Sequence, residues 1–162
     1  MAEKRAQPAG PAQHRPCARA LLVDREGCVL LFEGTDPSLP GPERFWFTPG
    51  GGVEGDETLE ATLRREVFEE TGHRLGDEPV GPVVHRRRAT FEFDGMVLDS
   101  DEHFFWLPVD RFEPNSDGWT DQEQEVFMQS HWWSVEELRS TDELVFPEQL
   151  DVVMARLLRE LA

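Results

Sequence analysis

The chain has few of the residues on which several common phosphate-binding and disulfide-stabilised proteins depend. Its 162 residues include no tyrosine, two cysteines and a single lysine, Lys4. A Walker-type phosphate loop needs a lysine beside its glycines, so no internal segment can form one. Cys17 and Cys28 are too few for a disulfide framework. We expect buried thiols in a reducing, cytoplasmic setting.

Long apolar runs are also missing. No run reaches the roughly 18 residues that a membrane-spanning helix needs, so the sequence predicts no membrane partner. Sixteen basic and thirty-three acidic side chains give a formal net charge of −17. Such a charge repels a nucleic-acid polymer or an anionic bilayer, and we expect a small substrate instead. A substrate that carries phosphate would need cations as intermediaries.

The length and the apolar content fit one compact domain. We expect residues 1–15, rich in Pro, Ala and Gly, to be a disordered leader and residues 16–162 to be a single domain. Alternating or apolar runs bounded by turn residues indicate strands. The predicted strands are 17–23, 28–32, 44–48, 80–93, 96–109 and 126–133.

The most regular helical pattern runs from Thr58 to Thr71. Leu59, Leu63 and Val67 recur every four residues on one face. Gly72 stands where the glycine that ends a helix is expected. The sequence therefore predicts a helix directly after the glycines at 50–52.

Two further helices are predicted near the end of the chain. Ser134, with Glu137 three residues later, predicts a capping box that starts a short helix through Arg139. An amphipathic pattern predicts a helix from Pro147 to Leu161. The polar stretch 113–124 is expected to be a loop. Strands and helices alternate irregularly, so we expect an α/β fold, a mixed sheet with helices on both faces.

Three carboxylates of the first predicted helix share one face. Glu66, Glu69 and Glu70 lie at i, i+3 and i+4. Like charges at this spacing destabilise a helix by about 0.2 to 0.5 kcal/mol per pair, so a cation among them would relieve the repulsion. Carboxylate oxygens are ligands that Mg²⁺ prefers. The alternative is a solvated acidic face, but the glycines just upstream would let backbone carbonyls approach a metal.

These residues resemble the box of the Nudix hydrolase family. The resemblance runs from Gly51 through Glu57 to the segment Arg65–Gly72, with every fixed polar and glycine position at the family's spacing. His73 departs from the pattern, because the family has an aliphatic residue there. We expect this change to loosen one packing contact at the end of the helix.

The resemblance implies a Nudix-type α/β/α sandwich and hydrolysis of a diphosphate linkage. The substrate would be a nucleoside diphosphate linked to another group, as in a nucleoside triphosphate or a nucleotide sugar. In the family, Glu66 and Glu70, usually with Glu69, would hold Mg²⁺, for which Mn²⁺ can substitute. The Gly51 carbonyl is a frequent further ligand.

Catalysis then needs a carboxylate that takes a proton from the attacking water. Glu69 is one candidate, held by Arg65, which lies four residues before it. Family members also use an acidic residue outside the box, and Glu102, Glu123 and Glu125 are all open. Among these we favour Glu125, because it lies just before a predicted strand.

Substrate-binding residues are less clearly marked. Arg86, Arg87 and Arg88 form the only dense basic run, and alternation along a strand sends Arg87 to the face opposite the other two. Arg86 and Arg88 are therefore the candidates for binding phosphate, and the alternative is that they balance nearby carboxylates. Trp119, in a predicted loop, is a candidate for stacking on a nucleobase.

Two other functions stay open. The glycines from Gly50 to Gly55 also fit the G-x-G-x-x-G pattern of a dinucleotide-binding oxidoreductase, although Asp56 and Glu57 would stand where the pyrophosphate needs a bare helix N-terminus. The second is a nucleotide-sensing Nudix module without turnover, in which box glutamates are usually lost. A homodimer also stays open.

Overall fold

Eight strands form one mixed sheet in the computed structural model, which describes residues 13–36, 43–93 and 96–162. The strands are β1 Gln13–Val23, β2 Val29–Thr35, β3 Arg44–Phe47, β4 Gly50–Gly52, β5 Val83–Phe93, β6 Met96–Pro108, β7 Phe127–Trp133 and β8 Leu144–Phe146. The helices of these ranges are α1 Leu59–Thr71, α2 Asp121–Val126, α3 Val135–Ser140 and α4 Leu150–Leu161. None of these helices is long and apolar enough to cross a membrane.

The sheet is built around β1. Its strands follow the order β5-β6-β1-β2-β3-β8, while β4 pairs with β1 and β7 pairs with β2. β1 runs parallel to β6 along its whole length, from Gln13 opposite Leu98 to Val23 opposite Pro108. β3 and β8 are also parallel, and the other pairs are antiparallel. The short β4 therefore lies beside β1 with the glycines 50–52.

Alternate residues of β1 pack in different cores because successive side chains of a strand point to opposite faces. On one face Ala18, Ala20 and Leu22 pack with Leu63 and Val67 of α1. On the other face the core contains residues of β1, β2, β6, α3 and α4, including Leu21, Leu31, Phe104, Leu138, Leu150 and Met154. The expected α/β/α sandwich is confirmed.

Helix α1 begins and ends as predicted. The Thr58 hydroxyl accepts a hydrogen bond from the Ala61 amide at 3.1 Å. Gly72 has a φ of 76°, and its amide donates to the Phe68 carbonyl at 2.9 Å. A left-handed residue at this position favours glycine. Its neighbour His73 stacks on Phe112 with 4.4 Å between ring centroids, so an aromatic contact occupies the last box position.

The prediction for residues 113–124 is wrong in part, because α2 begins at Asp121. Thr120 and Glu123 form a capping box there. The capping box predicted at Ser134 forms only through the serine hydroxyl, which accepts from the Glu137 amide at 3.1 Å. The Glu137 carboxylate instead contacts the His131 imidazole at 2.7 Å.

The short strands β4 and β8 are also additions to the prediction. The first strand begins at Gln13, within the segment expected to be a leader, and residues 1–12 of that segment lie outside the described residues. Cys17 and Cys28 are buried free thiols, as expected.

Candidate functional site

Three carboxylates from two helices meet beside the glycine strand. One oxygen from each of Glu66, Glu70 and Glu123 lies within 4.8 Å of the other two. Glu66 and Glu70 come from one face of α1, and Glu123 comes from α2. Glu70 is 3% exposed, and 13% of the Glu66 side chain is exposed. The acidic face of α1 is therefore directed into the protein at this point and does not simply face solvent.

The glycines of β4 allow the sheet to approach this cluster. The Gly50 amide donates to Glu70 Oε2 at 2.9 Å, and the φ of Gly50 is 144°, a value that L side chains rarely adopt. A Cβ on Gly51 would lie 2.5 Å from Glu66 Oε1. From β1, Arg19 Nη1 donates to the Gly50 carbonyl at 3.1 Å. The backbone at 50 and 51 is thus in direct contact with two of the three carboxylates.

Arg65 orders the neighbouring acidic side chains. Its Nε and Nη2 donate to the two oxygens of Glu57 at 2.8 and 2.9 Å. Its Nη1 donates to Glu66 at 2.9 Å and to Glu69 at 3.3 Å. A planar guanidinium can hold several carboxylates in fixed relative positions, which a lysine ammonium cannot do in the same way. Arg65 therefore supports the cluster from the side, as expected for its bond to Glu69.

The electrostatics of the cluster favour a bound cation. Burial, followed by the charge of Glu66, raises the pKa of Glu70 well above its usual value, although the Gly50 amide lowers it. Burial also raises the pKa of Glu66, which the Arg65 charge partly offsets. One buried carboxylate with two half-buried ones beside it costs free energy unless positive charge compensates them. The oxygen donors and the close glycine backbone fit a hard divalent ion.

A cleft of about 1040 Å³ opens from the cluster. Its acidic end contains Glu66, Glu69, Glu70 and Glu123, and Gly51 of β4 lines the same end. Aromatic side chains line the cleft as well, namely Phe45, Phe47, Phe127 and Phe146. Five arginines also border it, namely Arg15, Arg19, Arg65, Arg87 and Arg88. The cleft can thus contact both an anionic group and a flat apolar one.

The basic run on β5 is divided differently from the prediction. Arg86 forms a double hydrogen bond with Asp101, at 3.0 and 2.6 Å, and does not line the cleft. Arg88 lines the cleft, with its Nη2 3.2 Å from Asp99. Arg87, which the alternation argument set aside, lines the cleft too and is only 18% exposed. Residues from both faces of β5 therefore line the cleft.

Among the acidic residues outside the box, the structure brings Glu123 to the cluster in place of Glu125. Two residues of helix turn the side chain by about 200°, so Glu125 is exposed and does not line the cleft. Glu102 does line it, but its carboxylate lies between Arg19, at 3.4 Å, and Arg87, at 3.0 Å. Of the three residues left open by the sequence, Glu123 alone is in the carboxylate group.

Trp119 lies behind the carboxylates and not along the cleft. Its Nε1 donates to the Glu70 carbonyl at 2.7 Å, and its ring contacts Phe32 and Phe127 edge-on. The residue is half-buried by α1 and the sheet. Trp119 therefore lies outside the lining of the cleft, and its stacking on a nucleobase stays a prediction.

Comparison with known proteins agrees with this geometry. The NUDIX domain family matches residues 13–159. The nucleoside triphosphatase NudI of Salmonella paratyphi B is 30% identical over 121 residues, which cover 75% of this chain and 83% of that protein. An RNA pyrophosphohydrolase of Cereibacter sphaeroides is 39% identical over 64 residues, but these cover only 36% of its length. The chain therefore belongs to the NUDIX family and is a Nudix-type diphosphohydrolase.

Solved structures show the same fold. The MutT protein from Methanosarcina mazei Go1 has a TM-score of 0.60 and 21% identity, over 94% of this chain and 98% of that one. The MutT NUDIX hydrolase from Burkholderia pseudomallei has a TM-score of 0.63 and 20% identity, over 86% of this chain and 96% of that one. The dinucleotide-binding alternative loses its basis here, because the Gly50 amide that would face a pyrophosphate donates to Glu70.

Two features of the site were missed by sequence reasoning. Thr120 and Glu123 have the three-residue spacing of a capping box, and this signal could have placed a helix and an inward-facing carboxylate after residue 120. Arg19 gave no comparable signal. Its role depends on the pairing of β1 with β4, which brings Arg19 opposite Gly50.

Proposed function

We propose that this protein hydrolyses a phosphorus anhydride in a small nucleotide, with Mg²⁺ held by Glu66, Glu70 and Glu123. The observation that carries the proposal is the convergence of these three carboxylates against the Gly50–Gly51 backbone. Glu69 and Gly51 line the same cleft, and the Gly51 carbonyl is proposed as a further oxygen donor. A bound divalent ion would neutralise substrate phosphates and lower the pKa of a water.

The chain supplies a group that accepts the proton of the attacking water and a second group that orients this base. Glu69 is 39% exposed and lines the cleft, so its carboxylate is accessible to a water beside the substrate. Arg65 donates to Glu69 and fixes its direction. We propose Glu69 as the base and Arg65 as its positioning residue. Glu125, the predicted base from outside the box, is not included in the proposal, because it is exposed and does not line the cleft.

The rest of the cleft suits a nucleoside triphosphate or a related diphosphate compound. The side chains of Phe45, Phe47, Phe127 and Phe146 provide apolar surface for a base, and Arg88 is in position to meet phosphate oxygens. The similarity to the nucleoside triphosphatase NudI supports a nucleotide substrate. Arg86 is not included, because its guanidinium is satisfied by Asp101. A cytoplasmic location is part of the same proposal, since nucleotides of this kind are intracellular metabolites.

A panel of nucleoside triphosphates, nucleotide sugars, ADP-ribose and capped RNA tests the proposal. Each compound is incubated with the protein and Mg²⁺, and the phosphate products are identified by ion-exchange chromatography and ³¹P NMR. We expect turnover of at least one small nucleotide that stops when EDTA is added. We expect Glu69→Gln and Glu70→Gln each to reduce kcat at least about a hundredfold. Binding of a nucleotide without turnover in the unaltered chain would contradict the proposal and indicate a sensing module.

A further inference from the structure

The loop before α2 is attached to the C-terminal end of α1. The Asn115 amide donates to the Thr71 carbonyl at 3.0 Å, and Trp119 Nε1 donates to the Glu70 carbonyl at 2.7 Å. The last carbonyls of a helix have no partner within the helix, so these bonds satisfy two of them. Between the two attachment points, Gly118 lies so close to α1 that a Cβ would be 2.7 Å from the Glu69 carbonyl oxygen.

The Trp119 ring also contacts aromatic residues of the sheet. Its centroid lies 6.1 Å from that of Phe32 and 5.0 Å from that of Phe127, and both contacts are edge-on. Phe32 is 1% exposed in β2. The indole therefore joins three parts of the fold, namely the end of α1, the sheet and the loop that carries it.

The position of Trp119 also determines the position of Glu123. Thr120, the next residue after Trp119, is the N-cap of α2. Its amide donates to Glu123 Oε1 at 3.1 Å, and the Glu123 amide donates to its hydroxyl at 3.2 Å. This capping box fixes the side chain of Glu123 relative to Thr120. The direction of the Glu123 carboxylate thus depends on the position at which Trp119 is hydrogen-bonded to α1.

We infer that Trp119 is a positioning residue. Its hydrogen bond to the Glu70 carbonyl holds the loop before α2 on α1, and this places Glu123 against Glu66 and Glu70. Glu70 then contributes its side chain to the acidic cluster and its backbone carbonyl to the hydrogen bond with Trp119. This inference rests on the proposed function, because it takes Glu123 to be a metal ligand. It assigns no contact between the indole and the substrate.

Direct Mn²⁺ binding tests the inference without turnover. Free Mn²⁺ is measured by EPR in titrations of the unaltered chain, Trp119→Phe, Glu123→Gln and the double variant. Phenylalanine keeps an aromatic ring but cannot donate to the Glu70 carbonyl. Trp132→Phe is the matched control, because Trp132 Nε1 also donates to a backbone carbonyl, that of Phe112, at 3.2 Å. Trp132 is half-buried against Phe112 and does not line the cleft that holds the carboxylates.

We expect Trp119→Phe to raise the Kd for Mn²⁺ about tenfold, the lower range for loss of a group that orients a ligand. Trp132→Phe should leave it unchanged. In the Glu123→Gln background, Trp119→Phe should have no further effect, because the residue it positions no longer binds. Amide hydrogen exchange of the metal-free protein should become faster at residues 121–126 in Trp119→Phe and not in Trp132→Phe.

The alternatives give different results. If Trp119→Phe and Trp132→Phe change Mn²⁺ affinity equally, or if Trp119→Phe adds its full effect to Glu123→Gln, the role of Trp119 is merely structural and the inference is wrong. If Glu123→Gln alone leaves Mn²⁺ affinity unchanged, the proposed ligand set fails instead. Should Trp119→Phe not fold, Gly118→Ala is used in its place, because its Cβ would push the loop away from the Glu69 carbonyl. Gly76→Ala is then the control, since its Cβ would meet no atom within 4 Å.

Discussion

Arg65 and Glu57 are joined by two hydrogen bonds of 2.8 and 2.9 Å that span the glycine-to-helix segment of the Nudix box. Glu57 lies just before α1, and Arg65 lies in its second turn. The same guanidinium donates to Glu66 and Glu69. One fixed cation therefore determines the positions of three carboxylates, and the consequences for activity and stability can be measured separately.

Replacing Arg65 with lysine should impair catalysis although the charge is kept. Lysine cannot reproduce the paired bonds to Glu57 while also donating to Glu66 and Glu69. We expect kcat to fall about ten- to a hundredfold in steady-state assays, the range for loss of groups that orient metal ligands. Arg64→Lys is the control, since Arg64 bonds Glu60 and the carbonyls of a loop outside the cleft. Equal losses in both variants would contradict this role of Arg65.

The Glu57 carboxylate should make stability depend on acid pH. Its hydrogen bonds from Arg65, then that from the Glu54 amide, lower its pKa from 4.5 to about 2. A lowered folded-state pKa stabilises the fold above the unfolded value, and this stabilisation is lost as the pH falls from about 4.5 to about 2. We expect the difference in Tm between the unaltered chain and Glu57→Gln to shrink over that interval. Calorimetry at a series of pH values measures it, and a constant difference would exclude the effect.

Gly51→Ala should separate activity from folding. The new Cβ would lie 2.5 Å from Glu66 Oε1, the end of a flexible side chain, so the Glu66 carboxylate can move and the backbone can stay. We expect a nearly unchanged Tm and a loss of kcat of about tenfold or more, because a proposed metal ligand is displaced. Gly76→Ala again serves as the control. A full loss of folding, or full activity, would show that the close approach at Gly51 has another role.

Glu123→Gln and Glu125→Gln form a matched pair on α2. Glu123 faces Glu66 and Glu70, and Glu125 faces solvent. We expect Glu123→Gln to raise the Mg²⁺ concentration needed for half-maximal activity at least about tenfold. Glu125→Gln should change it by less than about twofold, as for ordinary surface substitutions. A reversed result would restore Glu125 as the outside carboxylate.

The box region could be predicted because its information is local. The helical period, the cap at Thr58 and the glycine at 72 are all set by neighbours in the chain, and the structure confirms them. The group of carboxylates on α1 follows from the same period. Sequence patterns also sufficed for the long strands β5 and β6, which are close to their predicted bounds.

The parts that were not predicted depend on distant segments. Arg87 pairs with Glu148 and Glu102, and both partners line the cleft with it. Alternation along one strand cannot show this. Trp119 gave the impression of an unpacked loop residue, because its partners, Phe32 and the Glu70 carbonyl, are far away in sequence. Even the local signal at Thr120 and Glu123 was overlooked within a stretch that is otherwise polar.

The parallel pairing of β1 with β6 also has a consequence for synthesis. Gln13 lies opposite Leu98 and Val23 opposite Pro108, so the pairing of this edge of β1 cannot be completed until the ribosome has released the chain beyond that proline. Helix α1 emerges from the ribosome well before then. During this interval the apolar segment 18–23 offers a bare strand edge to other nascent chains, and long-range pairings of this kind form slowly. Binding of a chaperone to arrested chains that end near residue 90 would be the expected sign of this exposed interval.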